Sequence, residues 1–112
     1  MTTSKIEQIR TLNDQLRQNL GTEVATAVIT IGVAALGAEA VARIVKTIVV
    51  YDDFCHEKDP YEEHDFGAFE AEGHTIFFKI DYYDPTETHH SDDPADPSVT
   101  RRVITIMLAE EY

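Results

Sequence analysis

Ala68-Phe69-Glu70-Ala71-Glu72-Gly73-His74-Thr75-Ile76-Phe77-Phe78-Lys79-Ile80-Asp81-Tyr82 is the stretch that decides the fold. Apolar and polar residues alternate on either side of Glu72-Gly73. The pattern predicts a β-hairpin with arms at 68–71 and 75–82. Glu72-Gly73 is the tight turn, because glycine takes a positive φ without steric cost. In the second arm Ile76, Phe78 and Ile80 point one way, and Phe77, Lys79 and Asp81 point the other. Lys79 stands alone among acids on that second face, so it is expected to be paired with them or close to them.

The rest of the chain reads outward from this hairpin. Downstream, 102–109 is a strand in which Val103, Thr105, Met107 and Ala109 alternate with Ile104, Ile106 and Leu108. Apolar residues on both faces predict a central position in a sheet. Upstream, 23–31 is rich in Val, Ile and Thr. Ala25, Ala27, Ile29 and Ile31 share one face, and Thr26 and Thr30 the other. Ile6, Ile9, Leu12, Leu16 and Leu20 step by three and four, which predicts a helix capped by Ser4 with Glu7 and closed at Gly21. Arg10, Asp14 and Arg17 fall on the opposite face of that helix. A second helix is expected over 38–50, with Val41, Ile44, Val45 and Ile48 as its buried stripe and Arg43 and Lys46 off it. Gly32 and Gly37 bracket the short connection before it.

Two segments read as loops. The first, 51–66, holds Pro60 and many acids, but its rings Tyr51, Phe54, Tyr61 and Phe66 are expected to tie it to the domain. The second, 84–98, holds Pro85, Pro94 and Pro97, and loops of that length are functional or mobile. The expected architecture is a single α+β domain over 1–112. Its antiparallel sheet of about four strands packs against two helices, in the order α-β-α-β-β-β.

Composition narrows the function classes. The chain has 112 residues and is 43% hydrophobic, enough for one core and too short for two domains. Net charge is −12, and it is unevenly placed. Residues 1–50 carry 5 bases and 4 acids, 51–98 carry 2 bases and 15 acids, and 99–112 carry 2 of each. The middle segment thus holds the whole imbalance, and all five histidines as well. Such a charge disfavours direct binding of nucleic acid or of an anionic membrane. Cys55 is alone, so no intrachain disulfide forms. Residues 1–10 are polar and resemble no signal peptide, and the longest apolar run, 24–36, is too short for a bilayer. A reducing cytoplasm is therefore expected.

Several motifs invite chemistry. His64-Asp65 could act as a general base with its acid, or join Asp81 or Asp84 at a divalent ion, with Lys79 as a charge-tuned neighbour. The plainer reading is a loop histidine that orders the entry to the hairpin. His89-His90 with Asp92 and Asp93 would chelate poorly, since adjacent residues of an extended loop point apart. Neighbours such as Cys55-His56 seldom have the geometry of a nucleophile and its base. Nucleotide-cradling glycine loops and the Gly-x-Ser-x-Gly elbow do not occur.

Asp59-Pro60-Tyr61-Glu62-Glu63-His64-Asp65-Phe66-Gly67, Lys79-Ile80-Asp81-Tyr82-Tyr83-Asp84 and the run Val103-Ile104-Thr105-Ile106-Met107-Leu108-Ala109-Glu110-Glu111-Tyr112 occur in that order. With Ile9-Arg10-Thr11-Leu12-Asn13-Asp14, they resemble a bacterial family of short proteins of unknown function. That family is common in proteobacteria and often plasmid- or prophage-borne. Its pattern has Asn and Gly where this chain has Lys58 and Glu62. The resemblance implies no established activity; it implies the context of mobile-element and anti-defence accessory proteins.

Fifteen carboxylates in 48 residues exceed what solubility needs. The leading expectation is an acidic, non-enzymatic interaction protein that inhibits a host defence system of the anti-CRISPR or antirestriction type. Its negative surface would imitate nucleic acid in a basic groove. The expected contact residues are Asp52, Asp53, Glu57, Asp59, Tyr61, Glu62, Glu63, Asp65, Tyr83, Asp84, Asp92, Asp93 and Asp96, with Tyr51, Phe54 and Tyr82 as further aromatic anchors. The partner is a basic nucleic-acid-binding protein such as a CRISPR effector or restriction enzyme; no cofactor is expected. The alternative is a small enzyme or divalent-metal domain centred on His64/Asp65 and Asp81/Asp84. Exposed sheet edges also allow a homodimer.

Overall fold

Hairpin pairing organises the sheet. The computed structural model describes residues 4–21, 27–54 and 59–112. Strands β2 (Phe66–Ala71) and β3 (His74–Tyr83) pair antiparallel, with Ala71 opposite His74. Glu72 (φ 55°) and Gly73 (φ 78°) form the two-residue turn between them. Two positive φ values match the right-handed twist of the flanking strands. Strand β4 (Arg101–Leu108) pairs antiparallel with β3 along its whole length.

The fourth strand, β1 (Ala27–Ile29), lies on the far side of β4 and runs parallel to it. The sheet is therefore mixed, in the order β1-β4-β3-β2. Class and strand number are as expected, and β4 is an inner strand; the sheet departs from the expected antiparallel one in the direction of β1, and a short extra helix follows β1. Alternation tells which way side chains face but not which way a strand runs. Here the chain enters at one edge and crosses to the other through helices before β2 begins. The expected residues 23–26 of this strand, like Cys55, His56 and Glu57, lie outside the described residues.

Helix α1 (Lys5–Gln18) starts at Ser4, whose hydroxyl accepts from the Glu7 amide at 3.1 Å. Thr30 caps a short helix, α2 (Ile31–Ala34), where a plain connection was expected. Ile31 consequently leaves the strand pattern and is 88% exposed. Helix α3 (Ala38–Val49) buries Ile44 and Ile48 completely, with Val41 and Val45 partly buried beside them. A 3-10 turn, Ala109–Glu111, follows β4. The Glu111 carboxylate accepts from Thr30 Oγ1 (2.6 Å), Gly32 N (3.0 Å) and Leu108 N (2.8 Å). Those bonds, Thr30 first, hold its pKa below the ordinary range and tie α2 to the end of β4.

Both long helices lie on one face of the sheet. Ile76, Phe78, Ile80 and Tyr82 of β3, with Ile104, Ile106 and Leu108 of β4, meet Ile9, Leu20, Ile44 and Ile48 there. Gly67 faces Phe78, and a Cβ in its place would overlap that ring and lie 2.8 Å from Tyr51 Cε1. Phe66, Phe77, Lys79 and Asp81 face the other way. Phe66 and Phe77 meet edge to face there, 5.1 Å apart, and Tyr112 completes a ring cluster with them.

The turn before β2 is strained. The Glu62 amide donates to the Asp59 carbonyl (3.1 Å), and Glu62 has φ 58°. That left-handed value favours glycine. Substituting Glu62→Gly is therefore expected to leave stability unchanged or raise it by about 0.5–1 kcal/mol. Most other surface changes to glycine lose stability; urea unfolding checks the sign.

Candidate functional site

One face of α1 that looked solvent-directed is turned inward. Arg10, Asn13, Asp14 and Arg17 stand at helical spacing and grip residues 59–64 and the end of α3. Asn13 is fully buried and uses its whole amide. Its Nδ2 donates to Glu63 O (3.0 Å) and Tyr82 Oη (2.8 Å), and its Oδ1 accepts from Arg102 Nε (2.9 Å). Tyr82 Oη in turn donates to Glu63 Oε1 at 2.8 Å. Burial, then that carboxylate, holds the Tyr82 pKa well above the ordinary phenol range. Arg102 also donates to Pro94 O, and its guanidinium lies 5.1 Å over the Tyr82 ring. Arg10 Nε donates to Glu62 O at 2.7 Å.

Arg17 was expected on the outer face but is only 3% exposed. Its Nη1 donates to Ile48 O (3.2 Å) and Tyr51 O (2.8 Å), the carbonyls at the end of α3, where a cation complements the helix dipole. Its Nη2 donates to Asp14 Oδ1 at 2.5 Å. The same Asp14 oxygen meets His64 Nδ1 at 2.9 Å. The His64 ring stacks on Phe54, with centroids 3.9 Å apart, and the Arg17 guanidinium lies 4.9 Å from the Phe54 centroid. His64 has φ 59°, and the Asp59 carboxylate holds that backbone by accepting from the amides of Glu63 (3.0 Å) and His64 (3.1 Å). Asp14, Arg17, Val49, Val50, Tyr51, Asp52, Phe54 and His64 line a cleft of about 610 Å³. The Nδ1 contact with Asp14 fixes the orientation of the imidazole ring.

The acid beside His64 in sequence belongs to a different place. Asp65 opens onto the outer sheet face, where a groove of about 500 Å³ is lined by Pro60, Tyr61, Asp65, Phe66, Lys79, Ile80, Asp81 and Tyr112. Lys79 Nζ is 3.2 Å from Asp81 Oδ2, the pairing expected for a lone lysine on that face. A smaller hollow of about 250 Å³, shared by Asp65, Asp81, Tyr83 and His90, adjoins it. Asp65 is pushed up to about 6 by burial first, then by the charges of Glu63, Asp59 and Asp81.

The 84–98 loop is built by its own acids. Asp84 Oδ1 accepts from Thr86 N (3.1 Å), Thr86 Oγ1 (2.8 Å) and Thr88 N (3.1 Å). Asp96 Oδ1 accepts from Ser98 N (2.9 Å) and Ser98 Oγ (2.7 Å). These bonds, the hydroxyls first, hold both carboxyls below their ordinary pKa. Ser91 is buried; its amide donates to Tyr82 O (3.0 Å) and its Oγ lies 2.7 Å from Thr100 Oγ1. Two exposed cations pair with acids of the loop, Lys5 at 3.7 Å from Asp93 and Arg101 at 3.9 Å from Glu87, while Arg102 donates to the loop's Pro94 O.

The expected contact residues therefore divide. Asp52, Asp53, Tyr61, Glu62 and Asp92 are exposed, and Asp65, Tyr83, Asp84, Asp93 and Asp96 partly so. Asp59 is buried as a turn-forming acceptor, and Glu63 is engaged by Tyr82. Tyr51 and Tyr82 are core residues instead of surface anchors: the Tyr51 hydroxyl donates to Asp53 O (2.9 Å) and accepts from Ala68 N (3.2 Å). Glu57 lies outside the described residues. His64 pairs with Asp14 across the fold, and among the described residues no group of three or more His, Cys, Asp or Glu is placed to hold a metal ion. Sequence reasoning missed Asn13, Arg17 and Arg102. For Asn13 and Arg17 the signal was a polar stripe at helical spacing along α1; Arg102, on β4, carried none.

The fold and site thus define an α+β domain with a buried polar stripe under α1 and an acidic, aromatic groove on its outer sheet face. A family described as proteins of unknown function, DUF3768, matches residues 29–111, and the chain belongs to it. The match begins in β1 and ends at Glu111, the residue that clamps α2. No curated protein and no solved structure matches the chain. Among the described residues no helix is long and apolar enough to cross a membrane.

Two outcomes follow from this chemistry. Asn13→Ala leaves Tyr82, Arg102 and the Glu63 carbonyl short of partners in the interior, and is expected to cost at least about 2 kcal/mol in urea unfolding. For Asp65 the folded pKa lies above the ordinary value. Ionised Asp65 thus opposes folding above about pH 6, and that penalty fades as pH falls toward 4. Asp65→Asn is expected to gain about 1–2 kcal/mol at about pH 8 and nothing at about pH 4, read from unfolding midpoints at both.

Proposed function

We propose that this protein is a non-enzymatic interaction module that presents carboxylates to a basic, nucleic-acid-handling partner. It would act as an inhibitor of the anti-CRISPR or antirestriction type. The observation that carries this reading is the self-built acidic loop. Asp84 and Asp96 are each fixed by hydrogen bonds from hydroxyls and amides of the following residues. A carboxylate so held stays ionised and keeps its position before any partner arrives, which lowers the ordering cost of association. Glu87, Asp92 and Asp93 lie on the same loop, and the Lys5 and Arg101 cations that pair with its acids do so at loose, solvent-exposed distances. Such pairs contribute little and exchange readily for a partner's charges. Asp52, Asp53 and Glu62 add exposed negative charge elsewhere. The resembled family's mobile-element context fits an inhibitor of host defence.

Purified CRISPR effectors and restriction endonucleases, titrated against the protein over a salt series, test the reading. The expected result is binding that weakens steeply as salt rises and is displaced by duplex DNA. Slower association is expected after Asp84→Asn with Asp96→Asn, which keep the acceptor oxygen and remove the charge. Binding that ignores salt, or no binding across the panel, overturns the reading.

A further inference from the structure

We propose that the groove beside Asp65 receives a single arginine side chain of the partner, its guanidinium set among the rings of Tyr61, Phe66 and Tyr112 and against the Asp65 carboxylate. This rests on the reading of the protein as a module for basic partners and gives that reading one specific contact. The groove, at about 500 Å³, has room for such a side chain. Tyr61 and Tyr112 are 71% and 76% exposed and line the same groove. Exposed rings grouped around a carboxylate mark a contact centre more than a solvated surface, since aromatic residues supply much of the energy of protein interfaces. Ring faces attract cations, and a planar guanidinium stacks on them while donating to a carboxylate in a way an ammonium cannot.

Charge selects the occupant. The groove's own cation, Lys79, is held by Asp81 at 3.2 Å. The Asp65 carboxylate is bonded by its own backbone amide, but among the described residues no side chain donates to it, and it faces Glu63 and Asp59 from its own loop and Asp81 from β3. Tyr82 of β3 and His90 of the 84–98 loop also border Asp65. An anion would meet these carboxylates unfavourably. An apolar ligand would bury Asp65 further with nothing to offset its charge. A metal ion finds no cluster of ligands among the described residues. A guanidinium supplies side-chain donors and the opposing charge together.

The test uses the full chain and N-acetyl-arginine methylamide as probe, with the citrulline analogue, equal in shape but uncharged, as control. Backbone and ring NMR shifts are followed at about pH 8 and about pH 5, either side of the Asp65 value of about 6. The arginine probe is expected to move signals of Tyr61, Asp65, Phe66 and Tyr112 at millimolar concentration, and the citrulline probe to leave them unmoved. Affinity is expected to fall about tenfold or more in Asp65→Asn and a few-fold in Tyr61→Ala. The weakening at low pH is expected to vanish in Asp65→Asn, which separates Asp65 from His90. Equal binding of citrulline, shifts centred elsewhere, no shifts at all, or an unaffected Asp65→Asn overturns the proposal. Should the probe bind here while no basic partner is captured, the partner class falls and the pocket stands. Should capture persist unchanged in Asp65→Asn and Tyr61→Ala, the pocket falls and the partner class stands.

Discussion

Burial of Asn13 under α1 is the constraint from which the rest of the arrangement follows. An amide in a core must find all its partners or lose stability, and this one finds three: Glu63 O, Tyr82 Oη and Arg102 Nε. Each comes from a different part of the chain, so the helix, the turn before β2, β3 and β4 are positioned together. Arg17, one turn later, joins α1 to the end of α3 through Ile48 O and Tyr51 O, although its buried Nε has no partner among the described residues. A hydrophobic core tolerates small slips between layers; directional bonds of this kind do not.

That network explains how a strained segment stays ordered. Glu62 and His64 both take positive φ, a conformation uncommon for residues other than glycine. The Asp59 carboxylate, Arg10 and the Asp14 oxygen hold the segment from three sides. The strain turns Asp65 away from His64, so that two adjacent residues serve opposite faces of the domain. His64 closes a polar cluster against Phe54 and α1. Asp65 borders the outer groove, where burial and neighbouring acids make its charge costly. Its ionised form therefore opposes folding in the free protein.

The acids divide by use in the same way. Asp14, Asp59 and Glu63 are engaged within the fold, and Glu111, though exposed, is taken up in tying α2 to the end of β4. Asp84 and Asp96 shape a loop and remain negative at its surface. Net charge alone could not separate these groups, because a carboxylate counts the same whether an amide or water solvates it.

Much of the architecture was legible before any coordinates. The hairpin, its Glu72-Gly73 turn, the inner position of β4, the Ser4 cap and the stripe of α3 rest on local rules, namely period, turn chemistry and capping, and each came out as read. The Lys79–Asp81 pair was legible too, since residues two apart on a strand share a face. What the residues could not declare was everything that depends on which distant groups meet. The parallel direction of β1, the inward turn of Asn13 and Arg17, and the pairing of His64 with Asp14 in place of Asp65 all belong to that class. Periodicity sorts polar from apolar along one element, but whether a polar side chain faces water or a buried carbonyl is settled only when another element, tens of residues away in the chain, supplies the partner.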